Sequence, residues 1–236
     1  MATPSTPISS LAEFNQRLDD LLRAAESSSS GQPGRIPIGQ IFQLAKDFVG
    51  ASLEDIEVLL GSPGHPKKVA AVSIMDFQAR QKATPDRRRQ ELYELYLRRH
   101  DRIDSWDLVD RAAPHVVGGY LWDKPREPLY RLAGSPHWYE RRTSIVSTWF
   151  FIRRGDLDDT FRIAEILAND PHDLVQKAVG GWIREAGKRD ERRLRDYLDR
   201  NAATMPRTAL RYAIEHLPPD VRDHYLGRMK NARPRS

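Results

Sequence analysis

The sequence predicts an all-α protein, and three observations support that prediction. Apolar residues recur at the helical period in nearly every segment between proline and glycine breaks. No segment shows the sustained alternation of apolar and polar residues that a half-buried strand requires. About a dozen such helical segments follow one another, separated only by short turns.

The sequence predicts twelve helices along the chain. An amphipathic helix over residues 11–25 precedes the stretch SSSSGQPG at 27–34, whose composition is typical of a flexible connector. Ser52, Ser105, Asp170 and Pro206 are residue types that favour helix starts. Further helices are predicted at 38–49, 53–60, 66–80, 86–99, 106–120, 127–133, 137–154, 156–169, 172–186, 190–201 and 206–216.

The spacing of these helices favours a repeat architecture. Helix pairs recur every ~35 to 40 residues, as in a two-helix HEAT-like solenoid, in which stacked pairs form a long concave surface. The repeats are divergent, so periodicity alone leaves a globular helical bundle open. We expect an N-terminal helix and linker at 1–35, the main domain at 36–230 and a disordered basic tail at 231–236.

Composition narrows the class of protein further. Cysteine is absent, which excludes disulfides and thiolate metal sites and fits a reducing cytoplasm. The N-terminal sequence has no signal-peptide pattern, and no stretch approaches the roughly 18 apolar residues of a membrane span. Residues 182–236 contain 14 Lys and Arg against 8 Asp and Glu, so the positive charge is concentrated at the C-terminal end, as expected of a phosphate-binding surface.

The segment SWDLVD contains the most informative pair of residues. Trp106 and Asp110 are four positions apart, a spacing that places an indole beside a carboxylate on one helix face. Such a pair suits a cationic ring held close to a negative charge. The structural alternative is a core tryptophan above a carboxylate that caps the start of the helix.

Three further segments accompany SWDLVD. They are WYERRTSIVSTWF at 138–150, KAVGGWIREAGK at 177–188 and MPRTALRYAIE at 205–215. Together the four segments resemble the DNA alkylation repair (AlkD-like) family of alkylpurine DNA glycosylases, over about residues 36–217. This resemblance implies the HEAT-like arrangement, with duplex DNA along the concave face.

The resemblance also implies a chemistry. A purine alkylated at N3 or N7 is cationic and leaves as a neutral base, so an enzyme need only stabilise the oxocarbenium-like sugar and position water. By motif match, Asp110 would be that carboxylate and Trp106 would pack against the deoxyribose and the lesion. Arg142, or Arg141 as the alternative, would bind the phosphate near the lesion through its planar guanidinium group. Either arginine could instead pair with a carboxylate of a neighbouring repeat.

The third segment departs from the family pattern. The family has a functional tryptophan directly after the glycine of K-A-x-G-W, whereas here Gly180 is followed by Gly181 and then Trp182. Trp182 therefore points about 100° further round the helix. It is either a core residue or a substrate contact reached from a changed angle. The loss of an indole at Gly181 would either open the site to bulkier adducts or reduce activity on simple methyl lesions.

Other candidate residues carry weaker signals. Basic residues that could contact phosphates are Lys177, Arg184, Lys188, Arg207 and Arg211, each of which could equally be a solvated charge. We interpret Tyr212 as a packing residue. The seven histidines show no metal-binding spacing, and no glycine-rich nucleotide motif follows a strand, so we expect neither a metal nor a nucleotide cofactor.

The resulting expectation is a cytoplasmic monomer that works at the nucleoid on duplex DNA containing alkylated purines. It would be a monofunctional glycosylase without a membrane partner, and the family implies that the lesion is not flipped out of the helix. The alternative is a HEAT-like scaffold that binds DNA or protein without catalysis, which the altered third segment favours. The presence of Asp110 distinguishes the two hypotheses, since a protein that only binds DNA gains no affinity from a carboxylate close to phosphates.

Overall fold

The computed structural model describes residues 10–27 and 36–231, and this part of the chain is helical with no strand. The all-α prediction is confirmed, and the arrangement is consistent with a helical repeat. Most of the predicted connector and of the predicted C-terminal tail lie outside the described residues, at 28–35 and 232–236. Within the described ranges, no helix is long and apolar enough to cross a membrane.

The chain divides into two compact units, Met1–Ala112 and Ala113–Ser236. In the first unit, α4 is the central helix: it packs against α2, α3, α5 and α6, and all its residues from Val69 to Asp76 are buried. A helix buried on all sides forms the core of its unit. The helices are α1 (Leu11–Ser27), α2 (Ile38–Asp47), α3 (Leu53–Gly61), α4 (His65–Arg80), α5 (Asp86–Arg98) and α6 (Trp106–Ala112).

The second unit is organised around two helices, α8 and α11, which pack against each other. α8 also contacts α7 and α10, and α11 contacts α10, α12 and α13. The helices of this unit are α7 (Glu127–Ala133), α8 (Trp138–Ser147), α9 (Trp149–Ile152), α10 (Asp158–Ile166), α11 (Asp173–Gly187), α12 (Glu191–Asn201), α13 (Arg207–Ala213) and α14 (Pro219–Asn231).

Most predicted helices are present, and one predicted start has a complete capping box. Ser52 Oγ accepts a hydrogen bond from Asp55 N, while the Asp55 side chain accepts one from Ser52 N. The start predicted at Asp170 is displaced: α11 begins at Asp173, and His172 Nδ1 caps it by accepting from Leu174 N at 3.3 Å. The helix α14, which begins at the second of two consecutive prolines, was not predicted from the sequence.

Two predicted helices are interrupted, each for a local reason. The helix predicted over 106–120 ends as α-helix at Ala112, and Ala113–Gly118 forms a π-helical segment. Pro114 has no N–H to donate, and Gly119 N bonds to Pro114 O at 3.0 Å, a five-residue reach. The helix predicted over 137–154 breaks at Thr148.

Hydroxyl side chains account for the break at Thr148. Ser144, Ser147 and Thr148 each donate to a carbonyl three or four residues earlier, at 2.7 Å. Such bonds compete with the backbone ladder and bend helices. The predicted helix is therefore divided into α8 and α9 at the single residue Thr148.

Adjacent glycines in α11 have opposite surroundings. A Cβ on Gly180 would lie 2.3 Å from Ala209 O and 2.6 Å from Tyr212 Cβ, because α13 approaches the backbone of α11 closely there. A Cβ on Gly181 would meet no atom within 4 Å. Gly180 is thus required for packing, and Gly181 is not.

We predict that Gly180→Ala and Gly181→Ala change stability in opposite directions. Gly180→Ala forces α11 and α13 apart and should cost about 1–3 kcal/mol. Gly181→Ala adds helix propensity without a clash and should stabilise by about 1 kcal/mol. Urea unfolding of both variants measures these changes, and equal effects would contradict the packing assigned to α11 and α13.

Candidate functional site

The short helix α6 presents Trp106 and Asp110 on one face. Trp106 is 51% exposed, so the interpretation of it as a core residue is wrong. Asp110 is half-buried one turn further along. Leu108, Val109 and Ala112 form the opposite, buried face of α6. The exposed indole and the neighbouring carboxylate are thus both accessible to a ligand from the same side of α6.

Asp107 fixes one flank of α6 to the start of α4. Its carboxylate lies 2.6 Å from His65 Nε2 and accepts a hydrogen bond from Ser105 Oγ at 2.7 Å. Burial acts to raise the pKa of Asp107, but the hydrogen bonds from Ser105 and His65 outweigh it and hold the pKa below its usual value. Asp107 is therefore a structural anchor beside the Trp106 face.

Arg111 secures the same helix to the interior of α4. Its guanidinium lies between two aromatic rings, with Cζ 4.5 Å from the centroid of Phe42 and 4.6 Å from that of Phe77. Nη2 is 3.1 Å from Asp76 Oδ2, and Nε donates to Ser73 Oγ at 3.1 Å. Burial is the largest influence on Arg111 and lowers its pKa, while Asp76 opposes that effect.

The second unit contains the Trp138 and Arg142 positions of the W-x-x-R-R segment. The indole of Trp138, at the start of α8, stacks on His172 with centroids 4.4 Å apart and an interplanar angle of 2°. Arg142 is only 5% exposed, and its Nη1 donates to Leu174 O near the start of α11. In this arrangement Arg142 joins α8 to α11, and a phosphate would reach it only after the side chain turned outward.

Arg141 has the structural role that sequence analysis left open. Its Nε and Nη2 contact both carboxylate oxygens of Asp170 at 2.6 and 3.1 Å. Nη1 donates to the carbonyls of Ser135 and Pro136, each at 2.9 Å. Because Asp170 is 6% exposed, this bidentate pair is a buried link between α8 and the turn before α11.

Trp182 is half-buried and has a fixed orientation. Its Nε1 donates to Val146 O in α8 at 3.0 Å, so the indole joins α11 to α8. The neighbouring Gly181 has open space where a side chain would begin. The structure thus favours the interpretation of Trp182 as a core residue. No side chain fills the space beside Gly181.

The predicted phosphate contacts fall into two groups. Lys177, Arg184 and Lys188 are ion-paired, with Asp173, Glu215 and Glu185 respectively. Arg207 and Arg211 on α13 are exposed, and neither forms an ion pair with any described residue. Only the second group offers guanidinium groups that need no rearrangement to meet a phosphate.

An open cleft of about 790 Å³ lies between α11, α13 and α14. It brings Lys177 and Arg211 together with Arg222 from α14. Tyr212 also lines it and is 40% exposed, although its Cβ lies close to the backbone of α11 at Gly180, as expected of a packing residue. The cleft also contains the carboxylates of Asp173, Glu215 and Asp223, so its charge is mixed.

Sequence analysis missed the residues that hold α6 in place. Asp76 was recognisable, because a carboxylate inside the apolar run VAAVSIMDF requires a buried partner. His65 carried no such signal, because its partner Asp107 is 42 residues away. Among the described residues, no group of three or more His, Asp or Glu side chains is arranged to hold a metal ion.

Comparison with known proteins supports the motif-based assignment. The family model described as "DNA alkylation repair enzyme" matches residues 35–217. Comparison with curated protein sequences gives no match. The matched region contains every helix from α2 to α13 and all four segments on which the resemblance rests.

The chain therefore belongs to the DNA alkylation repair enzyme family. Its general role is in DNA repair, and DNA is its partner. α1 and α14 lie outside the matched region.

We predict that the Asp107 anchor weakens in acid. Since the folded-state pKa of Asp107 is lowered, its contribution is complete above the unfolded value of about 3.9 and is lost as pH falls through the folded value. At pH 5.5, Asp107→Asn should cost about 1 kcal/mol of unfolding free energy. The difference from wild type should shrink towards pH 2.5 in urea unfolding, and a difference that grew in acid would contradict the anchor.

Proposed function

We propose that the protein is a DNA glycosylase that hydrolyses the N-glycosidic bond of cationic N3- or N7-alkylpurines in duplex DNA. The observation that supports this most is the exposed indole of Trp106 beside the half-buried carboxylate of Asp110 on one face of α6. An aromatic face favours a cationic partner by about 0.5–2 kcal/mol. This preference would discriminate against undamaged, neutral purines.

Asp110 supplies the negative charge in this proposal. As the bond to the base breaks, positive charge develops on the sugar, and a fixed carboxylate stabilises it without reorganising. The same carboxylate can orient the attacking water. The departing alkylpurine needs no general acid because it leaves as a neutral molecule.

The exposure of Trp106 also supports action on a base that stays in the helix. An indole that walled a closed pocket for a flipped base would be buried, as bases are held between stacked side chains in such pockets. Trp106 instead projects from α6 with about half its surface in solvent. An open site beside Trp106 would also tolerate bulky adducts.

The proposed phosphate contacts differ in their support. Arg207 and Arg211 are supported by their exposure and lack of ion pairs among the described residues. The role proposed for Arg142 rests on the motif, because its side chain is buried against Leu174. Arg141, Trp182, Lys177, Arg184 and Lys188 would have to exchange existing bonds for DNA contacts.

We predict that Asp110→Asn lowers the single-turnover release of N7-methylguanine from duplex DNA by roughly 10²- to 10³-fold, the range for loss of one electrostatic stabiliser. Binding to the same duplex should hold or tighten, because a negative charge near phosphates is removed. The measurements are base release and equilibrium binding, with circular dichroism to check folding.

Asp104→Asn is the matched control. Asp104 lies just before α6 and pairs with Lys68 Nζ at 3.0 Å, so the control removes one nearby negative charge without altering the Trp106 face. It should retain excision within about threefold of wild type. Equal losses in rate and binding for Asp110→Asn would show that Asp110 is structural, and DNA binding by the wild type without base release would favour the non-catalytic scaffold.

A further inference from the structure

A cluster of arginines on aromatic rings follows the end of α8. Arg153 and Arg154 are exposed in the turn after α9. Arg153 Cζ lies 5.5 Å from the centroid of Trp149, and Arg154 Cζ lies 3.5 Å from that of Phe150 and 5.4 Å from that of Trp122. We call these five residues the Arg153–Arg154 patch.

The positive charge of this patch is not compensated by its acidic neighbours. Asp156 pairs with Arg126 at 2.7 Å, and Asp158 pairs with Arg193 at 2.8 Å. Neither Arg153 nor Arg154 forms an ion pair with a described residue, although Arg154 Nη1 donates to Phe150 O at 3.2 Å. Two adjacent guanidinium groups therefore face solvent with unneutralised charge, which attracts an anionic partner.

The geometry of the patch selects phosphate rather than a nucleobase. Arg154 lies against the Phe150 ring at 3.5 Å, so that face is already occupied and a base cannot stack on it. The ring instead holds the guanidinium in a limited range of orientations. A planar fork held in this way presents its N–H groups to the oxygens of a phosphate.

The patch is separated along the chain from Arg142, the arginine proposed to bind the phosphate near the lesion. Arg142 lies inside α8, whereas Arg153 and Arg154 follow the end of α9. Arg142 is buried and the two patch arginines are exposed. The patch would therefore contact a phosphate other than the one assigned to Arg142.

We propose that the Arg153–Arg154 patch binds backbone phosphates of duplex DNA away from the lesion, as a second, sequence-independent contact. The inference rests on the proposed function, which makes duplex DNA the ligand of this chain. The patch would contribute to the free energy of binding on undamaged DNA as well. It would hold the enzyme on the duplex before a lesion is met.

The test is binding of the full chain to an undamaged duplex of about 24 base pairs over a range of salt concentrations. Arg153→Gln/Arg154→Gln should reduce the slope of log affinity against log salt by about 1.8, because each lost phosphate contact removes about 0.9. Affinity at low salt should fall about tenfold. The substitutions remove the cation–π contacts of two exposed side chains, so the melting temperature should fall by a few degrees at most and the variant should be fully folded under the assay conditions.

The control is Arg87→Gln/Arg131→Gln, which removes the same charge from exposed positions on α5 and α7. Arg87 is 90% exposed and lies over no aromatic ring among the described residues. This control should leave the slope and affinity unchanged. An unchanged slope for Arg153→Gln/Arg154→Gln, or one equal to that of the control, would overturn the proposal.

A second experiment locates the contact. Single neutral methylphosphonate linkages are placed in turn along a duplex that carries one N7-methylguanine. Wild type should lose affinity at one or two linkages away from the lesion, and Arg153→Gln/Arg154→Gln should be insensitive at those linkages alone. Sensitivity that persists in the variant would contradict the patch. Binding without base release would count against the proposed function only, whereas no binding by the wild type would count against both.

Discussion

The ion pair between Arg111 and Asp76 is the constraint on which the Trp106 face depends. Asp76 is 1% exposed within the all-buried stretch of α4, and Arg111 reaches it from α6 at 3.1 Å between two phenylalanine rings. Two charges in such surroundings are stable only when paired. Since Arg111 follows Asp110 directly, the pairing requirement fixes the rotation of α6. The fixed rotation directs Trp106 and Asp110 outward.

The second unit uses its polar side chains in a similar way. Arg141, Arg142 and Trp182 each donate to a group on a neighbouring element rather than to solvent. These bonds, together with the close approach at Gly180, join α8, α11 and α13. Four exposed arginines that form no ion pair with a described residue, Arg153, Arg154, Arg207 and Arg211, lie after α9 and on α13. Residues matched to a DNA-binding motif can therefore stabilise the fold, while other arginines remain available for DNA.

Helical periodicity was sufficient to predict the fold class and most helices, because burial of one face dictates the apolar spacing. Periodicity could not predict the breaks at Pro114 and Thr148 within apolar runs. It also could not predict α14, whose start lies at two consecutive prolines. The Trp106 and Asp110 pair was predictable because both residues lie on one short helix. The Arg111–Asp76 and Asp107–His65 pairs were not, since they join residues 35 and 42 positions apart. Local spacing also could not show that Arg142 is buried or that Tyr212 is exposed.

Amide hydrogen exchange in wild type and Arg111→Met tests the central constraint most directly. Asp76 also contacts Arg80 Nη1 at 3.4 Å, but Arg80 lies on α4 itself, so Arg111 is the partner that joins this carboxylate to α6. Arg111→Met should therefore release α6 from α4, and amides at 108–112 should lose protection equivalent to about 1–3 kcal/mol. Amides of α11, in the other unit, should keep theirs. If the α6 amides kept wild-type protection, or lost it only in step with α11, the Arg111–Asp76 pair would not be what orients the Trp106 and Asp110 face.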